Sequence, residues 1–305
     1  MKDFGVQGWA TLAPSEERAR WYCERLEEGE ILFFAQTPFL LPNEDRAFLV
    51  NVQQASAAYH KNISYRLKED RVKGFARGST DAERLRVILR RYSQRLTEFA
   101  AEFLSPYARR WRLDFASFRP VEEHGRQLSL KARNDLLHVD AFPTRPTNGD
   151  RLLRVFTNIN PSEPRVWVTS DTFDVLAKQF ALSAGLSAVA AHTRSPWRRP
   201  RRTLIRLGKA VGLPLVDRSP YDRFMLGFHH YLKTNQAFQE HCPKYRWEFP
   251  PNSTWIVFTD MVPHAALSGR FALEQTFLVP RDALLLPKKA PVQILEELSG
   301  APLTD

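Results

Sequence analysis

The residues best able to do chemistry sit in two short strings. One is His138-Val139-Asp140, an imidazole and a carboxylate two positions apart. The other is His264, within Pro263-His264-Ala265, far down the chain. Side chains two apart on an extended chain point the same way. His138 and Asp140 would then project together, and a distant imidazole brought beside them would complete a set of two histidines and one carboxylate. Such a set grips one face of a ferrous ion and leaves the opposite face open to reactants. His-x-Asp alone is a pattern that arises often by chance, so the third ligand decides the matter.

The elements around these residues must place them. Before His138 the chain alternates: Leu128, Leu130, Ala132 and Leu136 share one parity, and Gln127, Ser129, Lys131, Arg133 and Asp135 the other. This predicts a strand over 127–138, with His138 and Asp140 continuing its apolar, core-facing parity. His264 is predicted at a corner between strands at 255–258 and 271–279, after the turn 260–263 and before the turn 267–269. Further strands are predicted at 111–121, 152–160, 165–169 and 245–249, and helices at 171–183 and 220–237. Upstream the pattern is helical at 15–29, after Asn43-Glu44-Asp45 and from Ser79 onward. There Leu85, Ile88, Leu89, Tyr92, Leu96, Phe99 and Phe103 recur at threes and fours, one face of a long amphipathic helix. The expected fold is mostly β with α: a double-stranded β-helix (jelly roll, cupin-like). Residues 1–108 form a helical support, 109–285 the core with a helical and basic insert at about 171–240, and 286–305 a tail with a short helix at 292–298, all in one structural domain.

The bulk properties narrow the class. The chain has 305 residues, enough for a sizeable core. Its two cysteines, Cys23 and Cys242, argue against a disulfide framework and offer no paired-cysteine zinc spacing. No run approaches the roughly 20 apolar residues of a membrane span, and the start lacks a signal pattern, so a cytoplasmic protein is expected. The formal charge of +10 favours an acidic partner, whether nucleic acid, anionic membrane or anionic sugar. Oligomeric state is left open.

His138-x-Asp140 with His264 resembles the metal triad of the Fe(II)/2-oxoglutarate-dependent dioxygenases. The longer strings His138-Val139-Asp140-Ala141-Phe142-Pro143-Thr144-Arg145-Pro146-Thr147, Leu153-Arg154-Val155-Phe156-Thr157-Asn158-Ile159-Asn160-Pro161 and Pro263-His264-Ala265-Ala266-Leu267-Ser268-Gly269 are similar to the Kdo 3-hydroxylases. The resemblance implies Fe(II) on His138, Asp140 and His264, chelation of 2-oxoglutarate at two further positions and O2 at the last. It implies hydroxylation at C3 of a Kdo sugar in a lipid A precursor, with release of succinate and CO2; the alternatives are a 2-oxoglutarate dioxygenase of a protein side chain or small acid, or a non-enzymatic jelly-roll module that binds anionic lipid. Many of these enzymes anchor the co-substrate with an arginine about ten residues past the last histidine. Here Glu274 and Gln275 stand there, and Arg270 comes sooner. Another branch places the cation shortly after His-x-Asp, where Arg154 lies. Arg154, aided by Gln275, is therefore the expected anchor and Arg270 the alternative. For the acceptor's carboxylate the planar fork of Arg145 is the best placed, ahead of Lys131 and Arg133. His60, His124, His229, His230 and His241 are expected to be structural or surface residues.

The segment from His192 to Lys209 carries Arg194, Arg198, Arg199, Arg201, Arg202, Arg206 and Lys209 with Trp197 and no acid. It reads as a solvated loop or as a membrane-docking segment, at about 1 kcal/mol per basic residue near an anionic leaflet. Trp197, Leu204, Ile205 and Leu207 would sit at headgroup level. No nucleic-acid motif accompanies it. The resemblance favours docking of Arg194, Trp197, Arg198, Arg199, Arg201 and Arg202 on the inner face of the cytoplasmic membrane, since the acceptor is part of a lipid.

Overall fold

The computed structural model describes residues 2–3, 15–52, 62–75, 80–125, 128–193 and 216–304. The basic segment 194–215, and with it the expected docking residues, lies outside them.

In chain order the strands are β1 (Lys2–Asp3), β2 (Leu32–Phe34), β3 (Ile63–Arg66), β4 (Arg71–Lys73), β5 (Arg112–Arg119), β6 (Arg151–Asn158), β7 (Arg165–Thr169), β8 (Tyr245–Phe249), β9 (Thr254–Phe258), β10 (His264–Ser268) and β11 (Ala272–Val279). They form an eight-stranded sheet in the order β1-β2-β9-β6-β11-β5-β3-β4 and a three-stranded sheet in the order β10-β7-β8. Among the described residues the strands pair antiparallel throughout, except β1 with β2. This is the double-stranded β-helix that the strand pattern led us to expect. The helices that bear on the site are α1 (Glu16–Glu27), α2 (Asn43–Asn51), α3 (Thr80–Phe103), α4 (Ser105–Ala108), α5 (Phe173–Phe180), α6 (Leu186–Thr193), α7 (Pro220–Thr234), α8 (Gln236–His241) and α9 (Pro291–Ser299).

The centre of the large sheet is buried on both faces, which is why all eight residues of β6 are buried and its sequence lacks a clean polar alternation. Its outer face packs under α3, whose Leu85, Ile88, Leu89, Tyr92, Leu96, Phe99 and Phe103 are all buried, the stripe read from the sequence. Its inner face meets the small sheet through an aromatic cluster. Trp255 stacks on Phe249 at 3.9 Å and on Phe156 at 5.3 Å, and Trp167 closes edge-on against Phe156 at 4.9 Å. Burying aromatic rings of this size contributes on the order of 1.5–3 kcal/mol each. That plug fills the barrel between the sheets, and the polar site sits above it.

Three expectations are corrected. Of the strand expected over 127–138, the described residues 128–138 form none: residues 130–132 make a 3-10 turn, and only His138 makes a bridge, to His264. The parity is also inverted, because the core side chains are Leu137 and Val139 (2% and 0% exposed), with His138 and Asp140 facing the cavity. The segment meets β10 at only two points, His138 with His264 and Asn134 O with Ala266 N, and between them Gln239 of α8 accepts from Leu137 N at 3.0 Å and donates to Leu137 O at 2.9 Å. Second, His264 does not lie on a corner but opens β10, paired with Thr169 of β7. Third, the N-terminal region is not helical alone, since β1 to β4 extend both edges of the large sheet.

Candidate metal centre and its cavity

His138 and His264 sit side by side because their backbones exchange two hydrogen bonds, His138 N to His264 O at 3.2 Å and His264 N to His138 O at 2.9 Å. Asp140 is fixed two residues on, where its N–H donates to Thr259 O at 2.8 Å. The loop that follows is held by Asp222, which accepts from the backbone N–H of Thr147 at 2.7 Å while closing the capping box of α7 with Ser219. The chain is thus pinned on both sides of the His-x-Asp step.

One nitrogen of each ring is committed to the backbone. His138 Nδ1 lies 2.7 Å from Leu136 O and His264 Nδ1 lies 2.9 Å from Val262 O. Each Nδ1–H therefore donates to a carbonyl, leaving the Nε2 lone pairs free to coordinate. These Nε2 atoms lie 3.8 Å and 4.0 Å from the oxygens of Asp140, and the three ligand atoms all fall within 4.8 Å of one another. Burial, reinforced for His138 by the neighbouring His264, holds both imidazoles below their ordinary 6.5. Burial pushes the Asp140 carboxyl up, but the Arg154 guanidinium beside it outweighs this and holds it well below the usual carboxylate range. Two neutral imidazoles and one carboxylate converge on a point that can hold a divalent metal. Trp167 stacks on His264 at 4.9 Å and fixes its ring plane.

The triad opens into a cavity of about 280 Å³ lined, among the described residues, by five cationic side chains, Arg119, Lys131, Arg154, Arg165 and Lys233, against the single carboxylate of Asp140. The arginines stand on the sheets. Arg154 of β6 bonds Asp140 through Nη1 and Glu274 through Nε at 2.7 Å. Arg119 of β5 bonds the other oxygen of Glu274 through Nε at 2.9 Å. Burial pushes the Glu274 carboxyl up, but Arg154 and Arg119 outweigh it and hold it at about 2. Arg165 of β7, 1% exposed, donates to Gly269 O at 2.8 Å, and its buried Nε has no hydrogen-bond partner. Gly269 is required here: its φ is +110°, and a Cβ would meet Arg165 Cα at 2.9 Å.

The opposite wall is helical. Leu226, His229, His230 and Lys233 of α7 face the cavity at helical spacing. His229 Nδ1 lies 2.7 Å from Val139 O, and its ring meets that of His138 edge-on at 4.8 Å. Burial draws His229 down to about 4 and Lys233 down to about 8.

The expected residues fare unevenly. His138, Asp140 and His264 are brought together, and Arg154 and Lys131 line their cavity. Gln275 does not: it points from the outer face of β11 to α3, where it accepts from the Ser93 hydroxyl at 2.7 Å. Arg270 is exposed and lies over the ring of Phe271 at 4.0 Å. Arg145 is also outside the cavity, paired with Asp114 and held between the rings of Phe115 and Phe142. Arg133 pairs with Asp135 at 2.6 Å. His229 and His230 line the cavity, contrary to the structural or surface role expected. Arg119, Arg165, Glu274 and Lys233 went unrecognised. For Arg165 the signal was there, since Arg165, Trp167 and Thr169 share one parity of a strand whose limits were read correctly.

Residues 9–302 match the family described as 3-deoxy-D-manno-oct-2-ulosonic acid (Kdo) hydroxylase. The chain is similar to solved structures of the Kdo hydroxylase KdoO, a non-heme Fe(II) α-ketoglutarate-dependent dioxygenase. The complex with α-ketoglutarate and Fe(III) is 34% identical with a TM-score of 0.83, covering 99% of this chain and 97% of that one. The cobalt(II) complex is 34% identical with a TM-score of 0.85, covering 100% and 97%. The complex with succinate and Fe(III) is 33% identical with a TM-score of 0.83, covering 100% and 97%. The search of curated proteins found no match.

Proposed function

The chain belongs to the Kdo hydroxylase family, Fe(II)- and 2-oxoglutarate-dependent dioxygenases, and from that premise we propose that it hydroxylates C3 of a Kdo sugar carried on a lipid A precursor. The observation that carries the reading is the convergence of two neutral imidazoles and one carboxylate in a buried, strongly cationic cavity. His138, Asp140 and His264 would hold the ferrous ion. When bound, iron and 2-oxoglutarate supply the oxidising chemistry: one atom of O2 ends in succinate as CO2 leaves, and the other replaces C–H by C–OH on the sugar.

The protein's own groups do the rest. The carbonyls of Leu136 and Val262 fix the tautomers of the two histidines. Arg154 keeps Asp140 ionised and oriented. The aromatic plug below excludes water from the inner side. The sheet wall receives the far carboxylate of 2-oxoglutarate. Arg154 shares its guanidinium between Asp140 and Glu274, so the anchor is a cluster, Arg154 with Arg119 and Arg165, rather than one residue. Planar guanidinium groups suit such carboxylates. Glu274 keeps the cluster apart and oriented.

The basic segment 194–209 would bring the enzyme to an anionic membrane, where its lipid acceptor resides. No described helix is long and apolar enough to cross a membrane. Two measurements test the reading. Fragment mass spectrometry and NMR of the reacted lipid should place one new hydroxyl at C3 of Kdo; a hydroxyl elsewhere refutes the site of attack. Neutralising Arg198, Arg199, Arg201 and Arg202 should reduce sedimentation with anionic vesicles at low salt, and equal sedimentation refutes docking.

A further inference from the structure

Two anions must share one cavity, the co-substrate and the carboxylate of the acid sugar, and the cations stand on two walls. The arginines of the sheet wall already have acidic neighbours, Glu274, Asp140 and Glu123. Lys233 of α7 has Asp140, Asp135 and Glu123 in its surroundings but is ion-paired with none of them. Its side chain is buried, 4% exposed, and lines the cavity. Among the described residues its hydrogen bond goes to the backbone O of Lys131 at 3.2 Å, and no carboxylate lies within ion-pair distance. An ammonium has three donors, so two remain. A buried cation without a counter-ion is costly unless something anionic completes it.

We infer that Lys233, with His229 and His230 one turn away on the same face of α7, forms the subsite that takes the carboxylate of the acceptor sugar. The inference rests on the Kdo reading above. The placement follows from entry. A small dicarboxylate can be enclosed at the depth of Arg165, whereas a sugar tethered to a lipid must come in from the mouth. Exposed Lys131 and half-buried His230 mark that mouth beside Lys233. With Nδ1 of His229 committed to Val139 O, its Nε2 is left for a sugar hydroxyl, and the ring already touches His138. An acceptor held by Lys233 and His229 is therefore set against the metal ligands.

The test pairs a variant with an altered acceptor. The holoenzyme and Lys233→Gln are compared on a Kdo lipid and on the same lipid with its Kdo carboxyl reduced to the alcohol. Loss of one charged hydrogen bond predicts a rise of roughly 10- to 100-fold in KM for the acid sugar in Lys233→Gln, with KM for 2-oxoglutarate moving by less than about twofold. The wild type should prefer the acid sugar by a similar factor, and the variant should lose that preference. Lys233→Met, which keeps the packing of the stem, should behave as Lys233→Gln, and Lys233→Arg should restore the preference. A wild type indifferent to the carboxyl, or a variant that still prefers the acid sugar, overturns the subsite while leaving the Kdo reading intact. A KM for 2-oxoglutarate that rises as much as that for the sugar also overturns it. A wild type that adds oxygen to neither lipid overturns the Kdo reading and the subsite with it.

Discussion

Replacing Glu274 by Gln removes the charge that separates Arg119 from Arg154. The carboxylate is fully enclosed, 2% exposed in its side chain, and bonds one guanidinium through each oxygen. Its folded value of about 2 lies below the ordinary 4.5. At about 1.4 kcal/mol per tenfold change in proton affinity, that difference corresponds to about 3 kcal/mol. Removing one partner of a buried pair typically costs about 3–5 kcal/mol, the same order. Urea denaturation of the metal-free protein at neutral pH should therefore show Glu274→Gln less stable by about 3 kcal/mol. The pH dependence has a defined sign. A depressed carboxyl contributes fully above 4.5 and loses its contribution as pH falls towards 2. Wild type should weaken across that interval more steeply than the variant, and the gap between them should shrink with acid. A variant within about 0.5 kcal/mol of wild type at neutral pH, or a gap constant with pH, would refute the reasoning.

Other outcomes follow from the same geometry. His138→Ala and His264→Ala should each abolish cobalt(II) binding and turnover while retaining a cooperative thermal transition, and retained turnover in either rejects the ligand assignment. Arg154→Ala should raise KM for 2-oxoglutarate by about 10- to 100-fold and also weaken metal binding, because Arg154 orients Asp140; Arg270→Ala should change neither, and the reverse pattern would move the anchor to Arg270. Protons compete with metal only as pH falls through the folded imidazole values, which lie below 6.5. Cobalt affinity should therefore hold nearly level from about pH 7.5 to 6, and a tenfold loss over that range would contradict the buried, neutral histidines.

Much of the frame was legible because local pattern and tertiary role coincide there. β7 and β8 have the limits read from their residues, and the apolar stripe of α3 is the face that packs the sheet. The segment before His138 misled for a physical reason. Its alternation was real, but an alternating run becomes a strand only beside a partner, and here the side chain of Gln239 supplies the bonds. β2, β3 and β4 are three or four residues long, too short for periodicity to register. The ligands were legible because their spacing is chemical. Of the cationic walls Arg154 and Lys131 were named from the sequence, but Arg119, Arg165 and Lys233 were not, since they come from two strands and a helix that only the closed barrel brings together. Gln275 shows the converse: it stands at a suggestive distance from His264 in sequence, yet the pleat turns it to the outer face, towards Ser93.

The central claim, a Kdo hydroxylase built on His138, Asp140 and His264, is met most directly by one coupled measurement. Purified protein loaded with Fe(II) is given 2-oxoglutarate, O2 and a Kdo-bearing lipid A precursor, and succinate and lipid mass are followed together. The account predicts one added oxygen atom on the Kdo portion for each succinate formed, and neither product in His138→Ala. Succinate without modified lipid, oxygen on the lipid portion, or full turnover in His138→Ala would contradict it.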